Sequence, residues 1–172
     1  MQNEMNLPIR AAPYRHQIEA VDRAIKRLAQ GGGAALLMEM GTGKTITSVA
    51  IAGQLWNERC AHRVLVVAPL SILGVWEEEF RKFAAFDYAL TVLKGSTAQK
   101  IDAIRNMEAP GKAQPPALQV IVVNYESAWR LEAELAKWRP DMIICDEGHM
   151  IKTHNIATSK ALHRLGTKAK YR

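Results

Sequence analysis

What most constrains this chain is an alternation of two hydrophobic periods. Short apolar runs of strand length are separated by longer segments whose apolar residues recur every three or four positions. The five runs are Ala34–Met38, Val64–Ala68, about Ala89–Leu93, Val120–Val123 and Met142–Cys145. A run apolar at every position reads as a strand covered on both faces, and the intervening period is that of a helix. The order predicts an α/β fold with a mostly parallel sheet and helices on both faces. In such sheets ligands bind beyond the carboxyl ends of the strands, so chemistry is to be sought there.

The helical segments carry their own punctuation. Ile18, Val21, Ile25 and Leu28 recur at helical spacing among Glu19, Asp22, Arg23, Lys26 and Arg27, and Gly31–Gly33 end that helix. A second helix runs through Ile46, Val49, Ala50 and Leu55. Ser71 is placed to cap a third, with Ile72, Val75, Trp76, Phe80 and Phe83 on one face. Ser96 and Gln99 have capping-box spacing ahead of Ile101, Ile104 and Met107. Ala128, Leu131, Leu135 and Trp138 mark one further helix, closed by Pro140. The stretch EAPGKAQPPA at 108–117 reads as a surface loop. Trp76, Trp129 and Trp138 fall on apolar helical faces and are expected in the core rather than on a base-stacking platform.

With 172 residues, 48% hydrophobic and 23% charged, the composition is that of an ordinary globular protein and suits a single domain over 1–172. No apolar stretch approaches the roughly 18–20 residues that span a bilayer. The opening MQNEMNLPIR has no apolar core, so no secretory signal is read there. Cys60 and Cys145 fit no metal spacing and are expected as free thiols in a reducing, cytoplasmic-type compartment. Residues 1–147 balance in charge, and the whole excess of +6 lies beyond Glu147, in Lys152, Lys160, Arg164, Lys168, Lys170 and Arg172. Such a segment suits either a polyphosphate partner or a solvated helix face.

Two places carry chemistry. After the first apolar run comes Met38-Glu39-Met40-Gly41-Thr42-Gly43-Lys44-Thr45. Gly41 and Gly43 let successive backbone N–H groups curl inward around a phosphate, and the following helix adds its positive end. Lys44 reaches the β and γ phosphates, and the Thr45 hydroxyl suits Mg²⁺. The strict form of this loop has glycine where Met38 stands. The second place is Asp146-Glu147-Gly148-His149, which follows the apolar run Met142–Cys145. Two adjacent acids at the end of a buried strand are costly unless they hold a cation, and a nucleotide hydrolase needs one carboxylate for metal and another for water.

Taken together, Gly-Thr-Gly-Lys-Thr at 41–45 and Asp-Glu-Gly-His at 146–149 resemble motifs I and II of superfamily 2 helicases and translocases, the Asp-Glu-x-His (DEAH) type. VLVVAPLSILGVWEEEF at 64–80 is similar to motif Ia of the Swi/Snf-like branch, and VVNYESAW at 122–129 and DEGHMIKTHNIATSKAL at 146–162 resemble further segments of it. Tyr14-Arg15-His16-Gln17 looks like the segment that places an adenine-reading glutamine. Met150 stands where that branch usually has arginine, and Thr153-His154 where it has Asn-Pro.

The resemblance covers about 14–172 and implies a RecA-like P-loop NTPase lobe, the N-terminal of two, binding ATP and Mg²⁺. By motif, Lys44 holds phosphate, while Gly41, Thr42 and Gly43 offer backbone donors. Thr45 and Asp146 hold the metal, and Glu147 orients the attacking water. Gln17 reads adenine, and His149 couples the site to the other lobe. Ser71, Asn124 and Tyr125, with Lys94-Gly95-Ser96, are candidates for a nucleic-acid track. The partner implied is double-stranded DNA, contacted through its backbone.

In this family the next segment would be a Gly-Thr-Pro motif, then a second lobe with an arginine finger, a group that elsewhere contributes about 10³–10⁵ in rate. Very weak hydrolysis is therefore expected of the 172 residues alone. Competing readings are the motor portion of an ATP-dependent restriction subunit and a stand-alone, non-hydrolysing nucleotide-binding module. A small P-loop kinase fits less well, since no arginine-bearing lid is evident.

Overall fold

The computed structural model describes residues 6–39, 41–107, 117–148 and 156–172. Four of the apolar runs form the sheet: β1 (Arg63–Ala68), β2 (Tyr88–Val92), β3 (Leu118–Asn124) and β4 (Met142–Cys145). Their order is β2-β3-β1-β4 and every pairing is parallel. Val66 lies level with Val122 on one side and Ile144 on the other, which puts the two longest runs at the centre.

The strands are apolar throughout because both faces are covered. Val64, Val66 and Ala68 of β1, with Val120 and Val122 of β3, pack under α1 (Arg15–Ala29), α2 (Lys44–Asn57) and α3 (Leu73–Phe83). Leu65, Val67, Ile121, Val123 and Ile143 point the other way. They meet α4 (Thr97–Met107), α5 (Tyr125–Arg130), α6 (Glu132–Trp138) and α7 (Ile156–Lys168). Helices on both faces of a parallel sheet are what the alternation predicts.

Three expectations need correction. Ala34–Met38 is not a strand of the sheet. Tyr171 pairs with Met142 at the free edge of β4, and the Ala34 N–H reaches the Arg172 carbonyl at 2.8 Å. Residues 35–39 have no ladder partner among the described residues, so their apolar run is extended but unpaired, and Leu37 is 96% exposed. Second, Ser71 does not cap a helix. It lies exposed in a 3-10 turn, Leu70–Ile72, which shifts the face of α3 so that Leu73, Trp76 and Phe80 are buried and Val75 is exposed. Third, the segment Ala128–Trp138 is two short helices broken at Leu131, a device that still buries Ala128, Leu131, Leu135 and Trp138 together.

Other local readings hold. The capping box forms, with Gln99 N–H donating to Ser96 Oγ at 3.3 Å and Ser96 N–H to Gln99 Oε1 at 2.8 Å. Arg139 closes α6 in the left-handed region, at φ 57°, directly before Pro140. The loop at 108–116 lies outside the described residues.

Candidate nucleotide site

The head of α2 is built from two glycines. Gly41 (φ 78°) and Gly43 (φ 88°) both occupy the left-handed region, which only glycine enters freely. Gly43 is the residue before the first helical turn, so Lys44 opens α2 and the helix's unpaired N–H groups face the loop. Thr42 folds the loop back, its hydroxyl donating to the Glu39 carbonyl at 2.7 Å.

From the other side α1 braces the same loop. Gln17 Nε2 donates to the Thr42 carbonyl at 3.1 Å, and His16 Nε2 lies 3.0 Å from that oxygen. Gln17 is 5% exposed, and its Oε1 accepts the Tyr14 N–H at 3.0 Å. Both ends of the amide are thus used inside the protein, on the helix start and on the loop. Tyr14 stacks on His16 with ring centroids 5.7 Å apart. His16 joins the site with no sequence signal of its own, since a histidine before Gln17 at a helix start marks nothing by itself.

Asp146 sits where β4 ends, its N–H donating to the Val67 carbonyl at 2.8 Å. Its side chain is fixed at both oxygens. Trp76 Nε1 donates to Oδ2 at 2.9 Å, and the Glu147 N–H donates to Oδ1 at 2.9 Å. Below it, Tyr125 Oη donates to the Asp146 carbonyl at 2.6 Å. Burial, and then the charges of Cys145, Asp146 and Glu147, push the Tyr125 phenol up, so it stays a proton donor. Glu147 itself is in the left-handed region at φ 52°.

The two motifs are linked through α3. α2 packs on α3, and α3 carries Trp76, whose indole holds Asp146. The groups present fit a nucleotide and its metal. A Cβ placed on Gly41 would meet nothing within 4 Å, so the loop's outer side is open. Lys44 Nζ rests on the Met38 carbonyl at 3.3 Å, a contact readily exchanged for a phosphate oxygen. Thr47 and Ser48 hydroxyls bond back to α2, at Gly43 and Lys44, whereas the Thr45 hydroxyl bonds to no described residue. A hydroxyl and a carboxylate are the hard oxygen donors that Mg²⁺ takes.

The remaining sequence candidates are more dispersed. Ser71 is exposed just past β1. Asn124 ends β3 and caps α5, its Oδ1 accepting the Ser127 N–H at 3.2 Å. Tyr125 is 2% exposed and points beneath Asp146 rather than outward, because α5 begins there and turns it into the core. Lys94, Gly95 and Ser96 are exposed between β2 and α4. His149, with Met150, Thr153 and His154, lies outside the described residues. Trp76 and Trp138 are core residues as expected, at 1% and 0% exposure. Half-buried Trp129 lies under the Arg130 guanidinium. In α7, Lys160, Arg164 and Lys168 are exposed, and Arg164 makes a two-pronged pair with Glu132 at 2.6 Å.

The family model described as the SNF2-related domain matches residues 16–171. This chain belongs to the SNF2-related family. It is similar to a DNA repair and recombination protein RAD54-like of Drosophila persimilis, 32% identical over 145 residues. That match takes in 79% of this chain and 18% of the relative, so the chain spans under a fifth of the curated protein's length. Among solved structures, the SWI2/SNF2 ATPase core of Sulfolobus solfataricus in complex with dsDNA superposes with a TM-score of 0.77 at 27% identity. The overlap covers 96% of this chain and 32% of that one. The fold is therefore the RecA-like lobe of a Swi/Snf-type ATPase core. A nuclease-deletion mutant of the Type ISP restriction-modification enzyme LlaGI has the same fold, with a TM-score of 0.63 at 20% identity over 87% of this chain and 16% of that one.

Proposed function

We propose that this SNF2-related chain binds Mg–ATP between the loop at 38–45 and Asp146–Glu147, as the first lobe of a motor that moves on double-stranded DNA. The observation that carries this reading is the head of α2, where two left-handed glycines bare a helix N-terminus with Lys44 at its first position. Backbone N–H groups of residues 41–45 take the phosphates, and the Lys44 ammonium moves from Met38 to the β/γ oxygens. Thr45 and Asp146 are the residues that would hold Mg²⁺, which when bound neutralises charge on the phosphates. Glu147 orients water. Gln17 is the proposed adenine reader, exchanging its bonds to the Tyr14 N–H and the Thr42 carbonyl for the edge of the base.

DNA is proposed because the Sulfolobus solfataricus core similar to this chain is described in complex with dsDNA. Ser71 and Asn124, just past β1 and at the end of β3, are the proposed backbone contacts at that edge of the sheet. The reading calls for a second lobe to complete the hydrolytic site, with His149 as the residue that couples to it.

Calorimetric titration of the chain with ATP and Mg²⁺ tests this reading. A charge-assisted contact to phosphate is worth about 1.5–3 kcal/mol, so Lys44→Ala should weaken binding by roughly 10- to 150-fold. Equal affinities for the two proteins would remove the loop from the site.

A further inference from the structure

We propose that Trp76 is a positioning residue for the nucleotide's metal, acting through the Asp146 carboxylate; this rests on the Mg–ATP reading above. Trp76 satisfies the demands of a core residue without its indole N–H. It is 1% exposed on the buried face of α3, beside Phe80 with ring centroids 6.5 Å apart. Trp138 shows that this fold buries an indole whose Nε1 has no partner among the described residues. The Trp76 indole is different, because it is aimed 70 residues along the chain at Asp146 Oδ2, at 2.9 Å.

The consequence follows from the geometry of the carboxylate. Asp146 lies one residue past β4, where a side chain of its length would otherwise sample several rotamers. The Glu147 N–H holds only Oδ1, and that donor belongs to the adjoining peptide, in a turn whose next residue is already in the left-handed region. Trp76 supplies the remote anchor. With one lone pair of each oxygen engaged, the plane of the carboxylate is set and the remaining lone pairs are free for a cation. A ligand held in this way loses little further freedom when metal arrives, and loss of such an outer partner commonly costs 10- to 100-fold in metal affinity. Because α3 also packs on α2, the anchor is built on the element that adjoins the phosphate loop.

The test is a magnesium titration of ADP binding to this chain, with a spectroscopic readout alongside. Trp76→Phe keeps an aromatic ring and removes the donor. The Mg²⁺ concentration for half-maximal ADP binding should rise about 10-fold, while ADP affinity without Mg²⁺ stays the same. In an Asp146→Asn background the same substitution should add no further magnesium requirement. An unchanged magnesium midpoint in folded Trp76→Phe, or equal loss of ADP affinity with and without Mg²⁺, overturns the proposal. If the unmodified chain binds no ADP under either condition, the Mg–ATP reading fails and the proposal falls with it. Should Trp76→Phe not fold, the indole ¹H–¹⁵N resonances of the Asp146→Asn chain decide. Displacement of one buried indole signal by that substitution, and by Mg²⁺ with ADP in the parent chain, supports the anchor; four indole signals indifferent to both refute it.

Discussion

Gln17 and Thr42 are joined across 25 positions by a hydrogen bond of 3.1 Å from Gln17 Nε2 to the Thr42 carbonyl. The same side chain accepts the Tyr14 N–H, so one buried amide ties the start of α1 to the phosphate loop. Gln17→Ala leaves the Tyr14 N–H without its acceptor and the Thr42 carbonyl with only His16 Nε2 beside it, at about 1–3 kcal/mol for the lost pair. Gln17→Glu should cost more, since a carboxylate oxygen would face the Thr42 carbonyl where a donor stood. Urea unfolding should rank the three proteins in that order. Hydrogen exchange at the amides of 41–45 should quicken in both variants, and unaltered exchange would show that the bond does not order the loop.

The two loop glycines should respond unequally to alanine. Both positions have positive φ, which costs an L-residue roughly 1–2 kcal/mol. At Gly41 that is the whole cost, because a Cβ there meets open space. At Gly43 the new Cβ would collide with Gln17 Nε2 and come within 2.9 Å of Ile46 Cγ2. Gly43→Ala must therefore push aside the brace that Gln17 provides, and Ile46 is itself in the buried start of α2. Thermal melts should show Gly43→Ala well below Gly41→Ala, and a reversed order would contradict the loop geometry.

Cys145 gives the fold an alkaline signature. Burial pushes its thiol up to about 11. The folded protein then keeps a proton that the unfolded chain releases near pH 8.5. In that interval the unfolded state binds fewer protons, so stability falls as pH rises, by at most about 1.4 kcal/mol per pH unit. Cys145→Ala should flatten the decline between pH 8.5 and 11 while lowering stability at neutral pH through the small cavity it leaves. Denaturation midpoints across that range read both effects; an equally steep decline in the variant would assign it to other groups.

Much of this architecture was legible because burial on both faces leaves a plain mark. Val64–Ala68 and Val120–Val123 are apolar at every position, the pattern of a strand covered on both faces. The run at Ala34–Met38 bears the same mark but earns no ladder, since a strand is a property of its neighbour as much as of itself. Its burial alternates from Ala34 to Glu39, as a strand's would, yet only Ala34 finds a hydrogen-bond partner beside β4. Ser71 misled for a related reason. A serine three residues after a strand is a good cap by composition, but the Ile72 N–H closes a 3-10 turn on the Pro69 carbonyl at 3.1 Å and the helix begins only at Leu73. The loop glycines, Lys44 and Asp146 were readable because their chemistry is local to a few residues. Trp76 was readable only as apolar, since nothing in its sequence neighbourhood reports a partner 70 residues away.

Glu147 holds the last of the strained positions, and here stability and chemistry should separate. Its φ of 52° is a conformation that costs a non-glycine residue about 1–2 kcal/mol, held by β4 behind it and by its own N–H on Asp146 Oδ1. Glu147→Gly removes that cost and should raise the denaturation midpoint, offset in part by the greater freedom of glycine in the unfolded chain. Glu147→Gln retains the strain, so its midpoint should stay below that of Glu147→Gly. Glu147→Gln leaves the turn and the bond from its N–H to Asp146 Oδ1 in place, so that protein should bind ADP with Mg²⁺ as the parent does. The pair separates backbone from carboxylate: a gain in stability for Gly alone locates the strain in the turn. A midpoint that falls in both variants would instead mean that the carboxylate makes a stabilising contact worth more than the strain it sits on.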